Sequence, residues 1–246
     1  MISYTIMIVH QKSENVNRGA LFLKITWLGQ AGLLFEKNGF SIIIDPYFSN
    51  SVENSNPKNY RRVPIDEDFF SVRPDVMIFT HNHLDHFDPE TAERFIKKDT
   101  AVTVLAPRSV WDAVRRIGGE NQYVLFNART TFTVGGIRFT ATYAEHSDPF
   151  SIGVVIDDGE KKYYVTGDTL YNESVFESLP ADIDVVFLPI NGVGNNMNMK
   201  DAADFAARVG GVAVPLHCGM FDEIDMHTWR YEKKVVPTVY ERIDLP

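Results

Sequence analysis

The stretch PDVMIFTHNHLDHFDPE, residues 74–90, constrains the fold of this 246-residue chain more than any other. It begins with a nearly continuous apolar run, which is typical of a strand buried on both faces in an α/β protein. A turn with three histidines and one aspartate follows. Asp88 can then cap a helix that has Pro89 at its first position. This order predicts an α/β fold with polar side chains gathered at the end of a buried strand.

Similar patterns recur along the chain, and no Pro/Ser/Gly-rich linker divides it. Runs of β-branched and aromatic residues predict strands, and glycines mark the turns between them. Predicted strands lie at 21–29, 32–37, 40–47, 74–80, 101–107, 129–134, 137–145, 151–158, 162–168, 185–190 and 212–217, and predicted helices at 88–98, 108–119, 199–210 and 227–235. We expect one α/β domain over residues 1–246, with two β-sheets covered by helices on their outer faces. Residues 1–20 are expected to form an extra strand or a loosely ordered extension.

The composition excludes several classes of protein. The net charge of −9 argues against a dedicated nucleic-acid-binding protein, although it allows a local basic pocket for a small anionic substrate. The single cysteine, Cys218, rules out an internal disulfide and favours the reducing cytoplasm, and we expect it to be a small buried residue. The apolar run near the N-terminus is too short to span a bilayer and lacks a preceding basic segment, so neither membrane insertion nor export is expected. A homo-oligomer is compatible with these features.

The His/Asp-rich turn has the spacing of a metal site. His81 and His83 are one residue apart, so their rings project to the same side of an extended backbone. Asp85 and His86 follow where the chain turns into the helix. Imidazole and carboxylate ligands without a thiolate suit zinc, manganese or iron. The alternative is a histidine-rich surface loop, and the combination of residues at this spacing favours the metal.

Three further residues stand at the ends of other predicted strands. His146 follows the strand at 137–145, and His217 ends the strand at 212–217. Asp168 follows a glycine that lets the backbone come close to its neighbours. Singly, either histidine is as compatible with a core residue as with a ligand. Their shared position at strand ends favours one common site.

These motifs resemble a known superfamily. THNHLDH, followed by single His, Asp and His positions, resembles the HxHxDH signature of the metallo-β-lactamase superfamily, which implies a four-layered αβ/βα hydrolase fold. The segments ITWLGQAGLLFE, IIDPYFS, HNHLDHFDPET and TGDTLYN resemble the L-ascorbate 6-phosphate lactonase-like branch. TWLGQA, DPYFS and SNPKNYRR also resemble the branch that contains the N-acylphosphatidylethanolamine phosphodiesterases. The resemblance covers nearly the whole chain.

The resemblance implies two divalent metal ions per chain, with zinc or manganese expected and iron as the alternative. It implies His81, His83 and His146 as ligands of the first ion, Asp85, His86 and His217 as ligands of the second, and Asp168 as the bridge between them. Asp45 matches an early aspartate that orients the histidine loop, a role that carboxylates near metal ligands commonly have. The alternative for Asp45 is a turn-forming residue before a proline.

The implied mechanism uses a hydroxide that bridges the metals. Two divalent ions roughly 3.5–4 Å apart lower the pKa of a shared water, so that a nucleophile exists near neutral pH. Asp85 could also accept a proton as the intermediate collapses. We expect a metal-dependent hydrolase that opens a lactone or a related ester of a small anionic metabolite. The alternatives are a phosphodiesterase of the same fold and a non-catalytic metal-binding or regulatory module.

Weaker features suggest substrate contacts. Lys58, Arg61 and Arg62 lie in a basic loop that could bind a phosphate or carboxylate, and a solvated basic surface explains them equally well. Asn191 belongs to a Gly/Asn-rich segment after a predicted strand and is expected at the lip of the site. Tyr171 could donate to a leaving group, although an ordinary packed tyrosine is the simpler interpretation.

Overall fold

The computed structural model describes residues 22–246, so the prediction for residues 1–20 lies outside it. The described residues form twelve strands in two six-stranded sheets. The strands are β1 Lys24–Gly29, β2 Gly32–Lys37, β3 Phe40–Ile44, β4 Val76–Ile78, β5 Thr103–Ala106, β6 Gln122–Leu125, β7 Thr131–Val134, β8 Ile137–Tyr143, β9 Ile152–Asp157, β10 Lys162–Val165, β11 Val185–Pro189 and β12 Val212–Leu216. The helices are α1 Ser51–Ser55, α2 Pro89–Phe95, α3 Arg108–Val114, α4 Glu173–Glu177 and α5 Met199–Val209, with 3-10 turns at Glu67–Ser71, Arg115–Ile117 and Met226–Thr228.

The two sheets have matching topologies. Sheet A has the order β1-β2-β3-β4-β5-β6, in which β1 to β3 are antiparallel and β3 to β6 are parallel. Sheet B has the order β12-β11-β10-β9-β8-β7, in which β7 to β10 are antiparallel and β10 to β12 are parallel. Both sheets are therefore mixed. In each sheet, several strands run in the same direction and end at the same edge.

The sheets pack face to face and carry helices on their outer faces. Between them, the ring of Phe35 meets Tyr163 and Phe187 at centroid distances of 6.0 and 5.8 Å. On the outer face of sheet A, Phe79 belongs to a core cluster that includes residues of α2 and α3. On the outer face of sheet B, Tyr164 stacks on Phe205 of α5 with centroids 6.3 Å apart. This arrangement confirms the predicted four-layered αβ/βα sandwich.

Local signals explain where the main helices begin and end. The Asp88 side chain accepts a hydrogen bond from the Thr91 amide, with Pro89 in the first turn, as predicted for α2. In α5, the Asn198 side chain caps the N-terminus and Gly210 ends the helix in a left-handed conformation. Between residues 22 and 246, no helix is long and apolar enough to cross a membrane.

The helix predicted at 227–235 is wrong. After the 3-10 turn Met226–Thr228 the chain is irregular, turns at residues 232–233 and meets β12 at one parallel bridge between Lys234 and Ala213. The Ala213 amide donates to Lys233 O at 3.0 Å, and the Val235 amide donates to Ala213 O at 2.9 Å. Trp229 is buried, and its Nε1 donates to Met199 O at 2.8 Å. Pairing with a sheet edge and burial of one large ring thus override a helical pattern.

The sequence pattern also missed β6. This strand pairs with β5 in parallel at the edge of sheet A. Its four residues, QYVL, alternate little in burial, and none of them is fully buried. A short, partly exposed edge strand carries too weak an apolar pattern to be recognised from sequence.

Candidate metal centre

The chemically active side chains meet because their strands run in one direction. In sheet A, β1, β3 and β4 end at the same edge, and in sheet B, β8, β10, β11 and β12 do so. The residues after these strand ends are Gln30, Asp45, His81, His146, Asp168, Asn191 and His217. Strand-end placement, predicted for most of these residues from sequence, therefore brings both sheets to one site.

The first group of donors is built around three imidazoles. His81 Nε2 lies 3.0 Å from His83 Nδ1, and His146 Nε2 lies 3.1 Å from the same His83 nitrogen. Asp168 completes this group, since one donor atom from each of the four residues lies within 4.8 Å of the others. The loop after β4 thus supplies two rings, and sheet B supplies one ring and a carboxylate.

The second group consists of Asp85, His86 and His217, whose donor atoms also lie within 4.8 Å of one another. His217 Nε2 is 3.1 Å from Asp85 Oδ2 and 3.1 Å from His86 Nε2. Asp168 faces this group as well, with Oδ2 3.1 Å from His217 Nε2 and Oδ1 3.3 Å from His86 Nε2. The Asp168 carboxylate therefore lies between the two groups, as a bridging ligand would.

The spacing of the ring nitrogens fits a cation better than hydrogen bonds. His83 Nδ1 has either one proton or one lone pair in the ring plane, so it cannot satisfy both neighbouring nitrogens. Tetrahedral coordination at roughly 2.0–2.1 Å places ligand nitrogens roughly 3.3 Å apart, close to the separations in the first group. Imidazoles with carboxylates and no thiolate suit zinc, manganese or iron. The residues present therefore fit the metal ions that the sequence predicts.

The electrostatics of the two groups differ. Burial lowers the pKa of His81 and of His146, which favours the neutral imidazoles that metal ligation requires. Burial acts the same way on His217, but the Asp168 and Asp85 carboxylates outweigh it and raise the pKa of His217 to about 10. The same carboxylates raise the pKa of His86 against the effect of burial. When both imidazoles are neutral, the Asp85 and Asp168 carboxylates leave this group with negative charge, which a divalent cation would balance in place of the two protons.

Asp45 is placed to orient the histidine loop. Its Oδ1 accepts from the Thr80 amide at 2.8 Å, and its Oδ2 lies 2.8 Å from His86 Nδ1. Thr80 Oγ1 donates to Asp45 Oδ2 at 2.5 Å and lies 3.0 Å from His81 Nδ1. Because Asp45 bonds the Nδ1 side of His86, Nε2 is left facing the second group.

Three residues of this site have a strained backbone conformation. Gln30, Asp45 and His217 have φ angles of 48°, 42° and 61°, in the left-handed region that residues other than glycine rarely occupy. Such conformations cost of order 1–3 kcal/mol each and persist where the surrounding structure imposes them. All three residues contact the histidine groups directly. Strain at these positions is therefore connected with the placement of their side chains.

Sequence reasoning missed two side chains of the site. Gln30 Nε2 donates to Asp85 Oδ2 at 2.9 Å and lies 3.1 Å from His217 Nε2. Asn196 Nδ2 donates to Asp168 Oδ2 at 2.9 Å. Gln30 follows a strand end just as the predicted residues do, so the same rule could have found it. Asn196 lies in the Gly/Asn-rich segment from which only Asn191 was selected.

Asn191 reaches the site, since its Nδ2 lies 3.1 Å from His217 Nδ1. Tyr171 makes its contacts elsewhere. Its ring packs on Phe176 at 5.5 Å and Phe205 at 6.1 Å, and its hydroxyl accepts from Arg208. These contacts describe a packed tyrosine on the α4 and α5 side of sheet B.

The predicted basic loop is bound to the protein itself. Arg61 donates to Tyr47 O at 2.8 Å and to the Tyr240 hydroxyl at 3.0 Å. Arg62 donates to Phe221 O at 2.6 Å, while Lys58 is exposed. Both guanidinium groups thus have partners outside the His/Asp groups.

Comparisons with known proteins agree with this geometry. A model of the beta-lactamase superfamily domain matches residues 41–218. A UPF0173 protein of Pyrococcus furiosus is 28% identical over 212 residues, covering 85% of this chain and 90% of the relative. A UPF0173 metal-dependent hydrolase of Staphylococcus aureus is 28% identical over 232 residues, covering 87% of this chain and 93% of the relative.

The fold is shared with a solved structure. Igni18, a novel metallo hydrolase from Ignicoccus hospitalis, matches with a TM-score of 0.70 and 22% identity, over 90% of this chain and 97% of that chain. The family match spans the strands and loops that carry both donor groups, from β3 to the residues after β12. This chain therefore belongs to the metallo-β-lactamase superfamily, in its group of metal-dependent hydrolases.

Proposed function

We propose that the two His/Asp groups hold two divalent metal ions and that this hydrolase opens a lactone or a related ester of a small anionic metabolite. The position of Asp168 carries the proposal. Its carboxylate lies 3.1 Å from His217 Nε2 in one group and 4.0 Å from His146 Nε2 in the other. Two donor groups that share a carboxylate are the arrangement of a two-metal hydrolytic site.

The roles of the residues follow from their groups. His81, His83 and His146 would hold one ion, Asp85, His86 and His217 the other, and Asp168 both. When bound, the two ions would supply a hydroxide nucleophile near neutral pH by lowering the pKa of a shared water. Zinc and manganese fit the donors, and iron is the alternative.

Asp85 is the carboxylate best placed to move a proton. Its side chain is 18% exposed, whereas those of Asp168 and Asp45 are 6% and 1% exposed. A bound substrate can therefore reach Asp85 more easily than the other two. Gln30 Nε2 donates to Asp85 Oδ2 and holds the carboxylate in place. Asp85 would accept the proton released as the tetrahedral intermediate collapses.

An open groove that touches the metal loop at Asn82 contains one arginine that could bind an anionic substrate. It has a volume of about 740 Å³ and is lined by Asn82, Arg108, Asp148 and Phe150, among others. Asn82 stands between His81 and His83 in the chain, and none of the seven His/Asp donors lines the groove. Arg108 is the guanidinium at this groove, where it pairs with Asp112 at 2.8 Å. A substrate carboxylate or phosphate could compete for this arginine.

Phosphodiester hydrolysis is the second candidate. A two-metal site stabilises the attacking and leaving oxygens of an in-line displacement at phosphorus as readily as an acyl reaction. The groove with Arg108 suits a phosphate-containing substrate equally well. The two candidates therefore differ in the preferred bond rather than in the site.

The test is metal content combined with hydrolysis. The full chain is purified without added metal or chelator, analysed by elemental mass spectrometry, and assayed against a lactone panel and bis(p-nitrophenyl) phosphate. About two equivalents of metal and chelator-sensitive lactone opening are expected, and faster cleavage of the phosphodiester would favour the second candidate. His81→Ala should lose metal and activity, whereas His227→Ala, at an exposed histidine outside both groups, should keep them. Metal without any hydrolysis would support a binding module and overturn the proposal.

A further inference from the structure

Three consecutive residues after β8 lie against the histidine loop after β4. His146 Nε2 is 3.1 Å from His83 Nδ1, and Ser147 Oγ is 3.3 Å from His83 Nε2. Asp148 Oδ2 accepts from the Asn82 amide at 3.1 Å. Asn82 immediately precedes His83 in the chain. The segment that supplies one imidazole of the first donor group therefore also contacts the backbone between the other two.

Asp148 uses its two carboxylate oxygens for different segments. Oδ1 accepts from the Phe150 amide at 2.9 Å, within the turn that follows β8. Oδ2 accepts from the Asn82 amide at 3.1 Å and from the Ser109 hydroxyl at 2.5 Å. Ser109 belongs to α3, on the outer face of sheet A. One oxygen therefore forms a local turn of sheet B, and the other bonds two segments of sheet A.

The local turn does not require a carboxylate. An asparagine side chain has one oxygen and forms the same kind of turn, in which it accepts from the amide two residues further on. Asp148 is 4% exposed, and its hydrogen-bond partners between residues 22 and 246 are two amides and a hydroxyl rather than a cation. Burying a carboxylate without a cationic partner is costly. The second oxygen, which asparagine lacks, therefore indicates a role at the histidine loop.

The Ser147 contact favours one tautomer of His83. A proton on His83 Nε2 that is donated to Ser147 Oγ leaves a lone pair on Nδ1. That Nδ1 lies 3.0 Å from His81 Nε2 and 3.1 Å from His146 Nε2, so it faces the other imidazoles of the first group. Metal ligation requires a free lone pair at this nitrogen. Ser147 is thus placed to orient the ring from the side opposite the metal.

We propose that Ser147 and Asp148 are positioning residues for the first metal ion, Asp148 through the backbone of the histidine loop and Ser147 through the ring of His83. The inference rests on the proposed two-metal site and adds the residues that fix one half of it. Asp45 bonds His86 of the second group, so a carboxylate of each sheet supports a different group. Loss of Ser147 or Asp148 should weaken binding of the first ion and leave the second in place.

The test is stepwise removal of zinc from the loaded full chain by a chelator, followed by elemental mass spectrometry. For Asp148→Asn, which keeps an oxygen for the local turn, the affinity of one ion should fall by roughly 10–100-fold while the other is held as in the wild type. Asp75→Asn is the matched control, because that carboxylate accepts from the Ser41 amide just before β4, at the end away from the histidine loop. Equal zinc release by the wild type and Asp148→Asn would overturn the proposed role of Asp148.

Ring nitrogen NMR of histidine-labelled protein identifies the ion that is lost. In Asp148→Asn, the His146 signals should lose their metal-bound shifts at a chelator concentration at which the His217 signals keep them. Release of both ions together would indicate a general loss of structure and would overturn the positioning role. Ser147→Ala, at an exposed residue, should shift the Nε2 signal of His83 and weaken the first ion less than Asp148→Asn does, since water can replace the hydroxyl. An unchanged His83 signal would overturn the proposed role of Ser147.

Failure of the proposed function gives a different result in the same experiment. A wild type that takes up no zinc would overturn the two-metal site and this inference with it. A wild type that holds two ions, together with variants that release them as the wild type does, would overturn this inference alone.

Discussion

The two sheets contribute to the metal centre in different ways. Sheet A supplies one loop after β4 that carries four donors, His81, His83, Asp85 and His86. Sheet B supplies single donors after three separate strands, and these residues are His146, Asp168 and His217. The first set is compact in sequence, whereas the second is assembled only by strand order and direction. The comparison teaches that one half of the site is a local motif and the other half is a product of topology.

The two halves are joined at Thr80. Its side chain bonds Asp45 in sheet A, and its carbonyl accepts from the Ile152 amide of β9 in sheet B at 3.0 Å. Gly167, just before Asp168, approaches the same residue closely. A Cβ built on Gly167 would lie 3.1 Å from Thr80 Cβ and 2.7 Å from Ile152 O. This close approach is one of the contacts that set the distance between the two halves, and the bond from the His217 amide to Gln30 O at 3.0 Å is another.

Asp168→Asn should give the largest effect, because this single residue of sheet B faces rings of both groups. We expect loss of metal from both groups and a fall in hydrolysis greater than for any other single change described below. Elemental mass spectrometry and the lactone assay measure the two effects. Asp184→Asn is the matched control, since that carboxylate bonds the Lys162 amide at the opposite end of β10. Retention of two equivalents of metal would show that the other six donors hold both ions without the Asp168 carboxylate.

Asp85→Asn, in the loop of sheet A, should slow the hydrolytic step without changing how tightly the substrate binds. The amide keeps the size of the side chain but cannot accept a proton, so kcat should fall by roughly 10²–10⁴-fold while KM changes little. Steady-state kinetics on the ester identified by the panel provide the measurement. Asp222→Asn serves as a control, because that carboxylate only caps backbone amides of Gly219 and Ile224. An unchanged kcat would remove Asp85 from the proposed proton transfer.

Asp45→Asn should weaken metal binding by the histidine loop of sheet A, because Asp45 supports that loop and not the donors of sheet B. Losing the carboxylate behind His86 is expected to lower metal affinity by roughly 10–100-fold, as for other residues that orient metal ligands. Chelator competition reports the affinity. Asp75→Asn is a suitable control, since Asp75 accepts from the Ser41 amide at 2.8 Å and touches no donor group. If the wild type and Asp45→Asn bound metal with equal affinity, Asp45 would serve only to form the turn before Pro46.

Gly167→Ala should disturb the contact between the halves. The residue has φ of 61°, and the added methyl would meet backbone at 2.7 Å. Gly159 has φ of 85° with nothing within 4 Å, so Gly159→Ala isolates the backbone strain. We expect Gly167→Ala to lower the free energy of unfolding by about 1–3 kcal/mol more than Gly159→Ala does. Urea unfolding of both variants checks this, and equal losses would mean that the contact at Thr80 is loose.

The predictions from sequence succeeded where the relevant physics is local. The Asp88 cap and Pro89 fix the start of α2, so the turn before it was placed correctly. The irregular segment after Thr228 was mistaken for a helix because its partner, β12, lies elsewhere in the chain. The position of Gln30 after β1 could have been found by the strand-end rule, but its bonding partners could not. Asp85 and His217 lie beside its amide because of the fold.

The sequence by itself determined the kind of chemistry and the class of fold. Apolar runs that end in polar residues specify buried strands with functional edges, and the histidine spacing specifies metal-binding side chains. The tertiary structure decided which donors share a group, because Asp168 reaches rings on both sides only once β10 is set between β9 and β11. It also decided that Arg61 and Arg62 bond the protein and that Gln30 donates to Asp85. Contacts between residues far apart in the chain depend on packing, which no local pattern encodes.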